Sequence, residues 1–167
     1  MSGVSNIHDA GAYVASNLLQ QARFATGDPE ADGASLDTIP AGDQQLGSAI
    51  IQCDAAGTIA VAETATLIIT LQDAPDSGGA TPGVPGVFAD VAADVFMGAA
   101  DGADGLPTNP VIELDNATQD GSFAFTVPLH RLRRHVRVQA EWTVTGALDT
   151  VDYHCAAIST GNVRKPV

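Results

Sequence analysis

The sequence predicts an all-β fold, an antiparallel β-sandwich with a jelly roll as the expected topology. Three observations carry the prediction. From Arg133 to Val144 the chain reads RRHVRVQAEWTV, with Val136, Val138, Ala140, Trp142 and Val144 apolar and Arg133, His135, Arg137, Gln139, Glu141 and Thr143 polar between them. A period of two belongs to a strand with one face in a core and the other in water or against a partner. The 17 Gly and 9 Pro favour many turns over long helices. Further alternating segments at 47–53, 64–72, 122–129 and 151–159 are spaced by Gly-rich and Pro-rich stretches, as in sandwiches and barrels.

In chain order, residues 1–46 read as an N-terminal arm and acidic loop, and 47–167 as the sandwich domain. Two readings are open for the arm: a short helix from about Tyr13 to Arg23 with Gly27 as its stop, or an extended segment crossing the surface. The stretch DPEADGASLDTIPAGDQQLG reads as loop. In SAIIQC, Ala49, Ile51 and Cys53 share one face, and the turn DAAG follows. TATLIITLQD points Leu67, Ile69 and Leu71 inward and Thr66, Ile68, Thr70 and Gln72 outward, with the β-branched density of a strand. Pro75 to Gly86 is a long loop, and Val87 to Met97 reads as short strand pieces, with a helix as the second reading. GAADGADGLPTNP is another loop, and VIELDNA is a short strand running into a turn. SFAFTVPL faces Phe123, Phe125, Val127 and Leu129 inward, and Pro128 marks an edge or a strand end. In VDYHCAAIS, Val151, Tyr153, Cys155 and Ala157 share a face.

The 167 residues are enough for one domain with a sizeable core. Charged residues make up only 16% of the chain, yet the net charge is −13. Residues 1–130 hold 17 acids and one base, Arg23, whereas residues 131–167 hold six bases and three acids. Such a surface repels duplex nucleic acid, so no nucleic-acid partner is expected. The acid excess, with Lys165 the single lysine, also fits a salt-tolerant surface. No secretory pattern and no membrane-length apolar run is present, so the expectation is a soluble, cytoplasmically made protein with no membrane partner. Cys53 and Cys155 lack CxxC spacing and read as two buried thiols, which become neighbours if both face inward.

The candidate sites divide into weak chemistry and one basic cluster. Asp28, Glu30 and Asp32 imitate the start of a calcium loop, but Ile39 stands where a bidentate Glu belongs, so the segment reads as a solvated acidic turn. Asp101 and Asp104 lie in DGADG without a second copy at a fixed period, and read as a turn. His8, His130, His135 and His154 have no accompanying ligands at metal spacing, and His154 and Cys155 point to opposite faces of a strand. No GxSxG, HExxH or GxxxxGK motif is present. The expectation is therefore no catalytic residue, no metal and no cofactor. The cluster Arg131, Arg133, Arg134 and Arg137, with Arg164 and Lys165 in the tail, is left as the candidate partner-docking set. Two roles are open to these cations: internal pairing with acids of neighbouring strands and loops, and docking to an acidic partner surface.

At these residues the chain resembles a family. A strand TLIITLQDAPD, a later FAFTVPLHRLRRHVRVQAEWTVTG and a final YHCAAIST are similar to segments of the capsid cement (decoration) proteins of tailed bacteriophages, where a TLQ strand and a VPL…RYVRV strand pair recur. The resemblance covers residues 47 to 160 and departs from the family at His135, where Tyr is familiar, and in the long acidic loops. It implies a jelly-roll homo-oligomer, dimer or trimer, on the virion exterior. There it clamps adjacent major capsid protein subunits and does no chemistry. The alternative class is a β-sandwich binding module for carbohydrate or a receptor, which a set of exposed aromatics would favour. A jelly-roll hydrolase, the third class, needs a His and carboxylate constellation.

Overall fold

In a computed structural model, residues 14–25, 30–39, 45–78, 83–96, 109–145 and 150–163 are described. They form ten strands: β1 (Val14–Ala25), β2 (Glu30–Asp32), β3 (Leu36–Asp37), β4 (Gln45–Thr58), β5 (Thr64–Ala74), β6 (Ala89–Asp90), β7 (Val111–Asp115), β8 (Asp120–Val127), β9 (His135–Val144) and β10 (Thr150–Val163). Single 3-10 turns lie at Ala93–Val95 and Leu129–Arg131. The fold is an antiparallel β-sandwich, as the alternation predicts.

One sheet runs β1-β10-β4-β8, and the other runs β2-β9-β5-β6 with β3 also on β9 and β7 also on β5. Every described strand pair is antiparallel. The short strands β2 and β3 share one edge of β9, and β6 and β7 share one edge of β5, so each sheet is effectively four strands wide. The first strand pairs with the last, the β2–β3 stretch with β9, β4 with β8, and β5 with the β6–β7 stretch. The first and last described strands are thus drawn together, and most pairings are distant in sequence.

Alternation decides what fills the space between the sheets. Ala65, Leu67, Ile69 and Leu71 of β5 and Val136, Val138, Ala140 and Trp142 of β9 form one wall, all buried. Ala49, Ile51, Cys53 and Ala55 of β4, with Val151, Tyr153, Cys155 and Ala157 of β10, form the other. Phe125 and Val127 extend that wall on β8, and Phe96 sits with its ring centroid 5.2 Å from that of Phe125. Two glycines allow close approach. A Cβ on Gly57 would lie 2.3 Å from Val151 Cγ2 and 2.5 Å from the Thr150 carbonyl oxygen, and one on Gly121 would lie 2.7 Å from Ile112 Cγ2.

At four places the structure corrects or refines the expectations. From Val14 on, the segment read as a helix or a surface arm is strand β1, whose register against β10 shifts between Leu18 and Gln20; Tyr13 lies outside the described residues. The boundary placed between residues 46 and 47 falls inside β4, and the acidic loop before it contributes β2 and β3. Val87 to Met97 holds a two-residue strand and a 3-10 turn, with Met97 outside the described residues. His135, on the polar face of the β9 pattern, is 1% exposed, because Asp76 from the segment after β5 closes over its ring.

Candidate functional site

The basic cluster is built where β8 hands over to β9. Pro128 ends β8, the Arg131 N–H bonds the Pro128 carbonyl at 2.9 Å, and Leu129 is fully buried beneath the turn. Anchored from below, the turn leaves His130 and Arg131 exposed, with His130 Nδ1 3.2 Å from the Gly47 carbonyl oxygen. Arg133 donates its backbone N–H to Asp73 Oδ2 at 2.9 Å, while its Nε stands 3.6 Å from Asp73 Oδ1. Its side chain stays 54% exposed. A pair this open and this long adds little stability and leaves the guanidinium available.

Arg134 is committed inside the molecule. Its Nε and Nη2 donate to the two oxygens of Asp37 at 3.0 Å each, Nη1 donates to Asp76, and Nη2 also reaches the Ile39 carbonyl at 3.3 Å. The planar fork matches one carboxylate in two-point fashion and bridges to a second. Hydrogen bonding to Asp37 above all raises the Arg134 pKa further above its ordinary value. Asp76 also accepts from His135 Nε2 at 3.0 Å and from the Gly83 N–H at 3.0 Å, and Gly83 holds φ at +89°. These bonds, that of His135 first, hold the Asp76 carboxyl below its ordinary value of 3.8. A carboxylate can only accept, so Nε2 carries the proton of the His135–Asp76 bond. The cluster ties β3, the segment after β5 and the start of β9 into one clasp.

Arg137 is committed as well, on the outer face of the second sheet. It contacts Asp32 at 2.8 Å, donates from Nε to Gln72 Oε1 at 2.8 Å, and stacks 4.2 Å from the Phe88 ring centroid. Gln72 passes the network to Asp90 at 2.7 Å, and Gln139 donates to Asp32 at 3.0 Å. Gln72, read as outward-facing, is therefore only 8% exposed although it lies outside the core. Of the cations singled out in the sequence, Arg131 and Arg133 are open to solvent, Arg134 and Arg137 are paired internally, and Arg164 and Lys165 lie outside the described residues.

Among the described residues, the other candidate chemistry is not brought together. Among the described residues no group of three or more His, Cys, Asp or Glu could hold a metal ion. Asp32 of the calcium-like run is spent on Arg137, while Asp28, Asp101, Asp104 and His8 lie outside the described residues. Asp54, Asp120, Asp152 and His154 line a shallow concavity on the outer face of the first sheet with Ala56 and Ser122. A hydrolytic triad needs a nucleophile bonded to its base. Among the side chains described, no Ser, Thr or Cys bonds the ring of His130, His135 or His154. The sequence reading missed the Asp37–Arg134–Asp76–His135 clasp, whose partners stand 97, 58 and 59 residues apart and share no local motif.

No protein-family profile and no curated protein matches the chain. Among solved structures, it is similar to a chain in the structure of deformed wing virus carrying the GFP gene, at 10% identity and a TM-score of 0.37, over 99% of this chain and 50% of that one. It is also similar to chains in structures of infectious bursal disease virus. The Gx strain aligns at 12% identity and TM-score 0.25, over 90% of this chain and 42% of that one; the Gt strain aligns at 13% and 0.24, over 90% and 41%. The chain thus spans about half the length, or less, of the chains it resembles. Likenesses at this level carry no argument about what the chain does.

Proposed function

We propose that the chain is a capsid cement protein, a jelly-roll homo-oligomer that binds the outside of an icosahedral phage head and clamps adjacent major capsid protein subunits. The observation that carries the reading is the strand order. First pairs with last and each inner stretch with its counterpart, a pairing that supports an antiparallel ribbon wound into a jelly roll. The segments that resemble cement proteins fall within it as neighbours, TLIITLQDA as β5 beside HVRVQAEWTV as β9. Docking rests on Arg131 and Arg133, which remain open at the β8–β9 turn, together with Arg164 and Lys165. Arg134 and Arg137 hold that turn and the outer face in shape rather than touching a partner. Several copies of one weak patch, presented by a symmetric oligomer, add as avidity across neighbouring capsomers.

Against a carbohydrate or receptor module stands the placement of the aromatics. Phe96, Phe125, Trp142 and Tyr153 are buried, and Phe88 and Phe123 are half-buried, so these six aromatics form no exposed platform. The test mixes purified protein with undecorated capsids at low and high salt and counts bound copies after sedimentation. Two acidic surfaces repel at long range until salt shortens the screening length to about 8 Å or less. Binding that survives or rises with salt is expected. No co-sedimentation at any salt rejects the proposal and favours the binding module.

A further inference from the structure

We propose that Cys53 and Cys155 are a disulfide-forming pair that joins β4 to β10, the two central strands of the first sheet. The two residues are directly opposite in the β4–β10 register, and both side chains point between the sheets at 0% exposure. Their sulfurs stand 3.1 Å apart, and the Tyr153 hydroxyl, also buried, donates to Cys53 Sγ at 3.3 Å. Directly opposed residues of an antiparallel ladder have Cα atoms about 4.5–5.5 Å apart. That lies within the roughly 4.4–6.8 Å a disulfide spans, and closing the sulfurs to about 2.05 Å requires a movement of only about 1 Å. The strands need not be re-registered, and neither side chain has to leave its face.

The oxidant is a small-molecule disulfide of the glutathione type. One cysteine thiolate attacks a sulfur of the oxidant, forming a mixed disulfide and releasing one small thiolate. The second cysteine then attacks the protein sulfur of that mixed disulfide and releases the other. Two protein thiols and one small disulfide become one protein disulfide and two small thiols; the two protons go to the leaving thiolates and the two electrons to the oxidant. Because both sulfurs are wholly enclosed, exchange takes place while the chain folds, before the sandwich closes, and is slow on the finished protein. The bond closes a loop across a separation of 102 residues, the range in which cross-linking most restricts the unfolded chain.

The test refolds the full chain from denaturant with oxidised or with reduced glutathione, then counts thiols under denaturing conditions and weighs the intact chain. Oxidative refolding should leave no free thiol, a mass lower by two hydrogens, a monomeric band on a non-reducing gel, and a melting midpoint raised by roughly 10 °C over the reduced protein. Cys53→Ser and Cys155→Ser should each leave one thiol, free or carrying glutathione, and no gain in midpoint. Should either variant fail to fold, the oxidised and reduced wild-type chains decide alone. Two free thiols, two glutathione adducts, or a disulfide that lowers the midpoint would each overturn the proposal.

Discussion

Replacing Trp142 by Ala removes the largest side chain of the β9 wall. The indole is 5% exposed, stands opposite Leu67 of β5 in register, and packs within the single core cluster of both sheets. Truncating a buried Trp to Ala costs about 3–5 kcal/mol, the sum of lost burial and the cavity left in a close-packed interior. For a chain of this size each kcal/mol moves the midpoint by about 2–4 °C, so the variant should melt roughly 6–20 °C lower. Trp142→Phe, which keeps most of the apolar volume, should lose less than half as much. Thermal and urea unfolding followed by far-ultraviolet circular dichroism, at one fixed protein concentration, measure both. If Trp142→Ala does not fold, the Phe variant carries the comparison. An unchanged midpoint in the Ala variant, accompanied by lost partner binding, would mean that the indole faces a partner and that the inward face of β9 has been misassigned.

Other perturbations follow from the same geometry. Gly57→Ala places a Cβ against Val151 and the Thr150 carbonyl, and should cost about 1–3 kcal/mol in urea unfolding because a paired strand has to move. The Asp76 carboxyl is held below 3.8 by its partners, so its stabilising contribution is complete above that pH and disappears as pH falls through the lower folded value. Midpoints of wild type and Asp76→Asn should accordingly differ near neutrality and converge towards pH 2; parallel curves would show that the clasp does not titrate. Charge reversal at Arg131 and Arg133 should leave the unfolding free energy within about 0.5 kcal/mol of wild type and weaken capsid binding severalfold, more at low salt than at high. Equal losses from Arg137→Ala, with folding intact, would move the docking surface to the outer face of the second sheet.

How far the sequence discloses this fold depends on how cleanly each strand keeps a period of two. β4, β5, β9 and β10 are long, buried on one face and free of inserted residues, and their inward sets are the ones alternation assigns. β1 hides because the adjacent Leu18 and Leu19 break the period of two in the sequence, where the register against β10 shifts between Leu18 and Gln20. β2 and β3 span three and two residues, too few to show any period, and their existence depends on β9 offering an edge. The arginines were visible as a cluster, but which of them pair internally was not. Asp37, Asp76 and Asp32 reach Arg134 and Arg137 only after distant segments are brought together, and a chain with 20 acids offers many equivalent choices. His135 follows the polar side of its strand pattern faithfully; its burial comes from a neighbouring segment that no local rule places there.

If this sandwich stabilises a shell, as proposed, differential scanning calorimetry of undecorated capsids with and without saturating protein reads the effect. A cement protein that binds the assembled shell and not its dissociated subunits raises the shell's melting temperature in proportion to occupancy, by mass action. A higher shell transition that returns to its original position with the Arg131 and Arg133 charge reversals is the predicted result; saturating occupancy with an unmoved shell transition would contradict it.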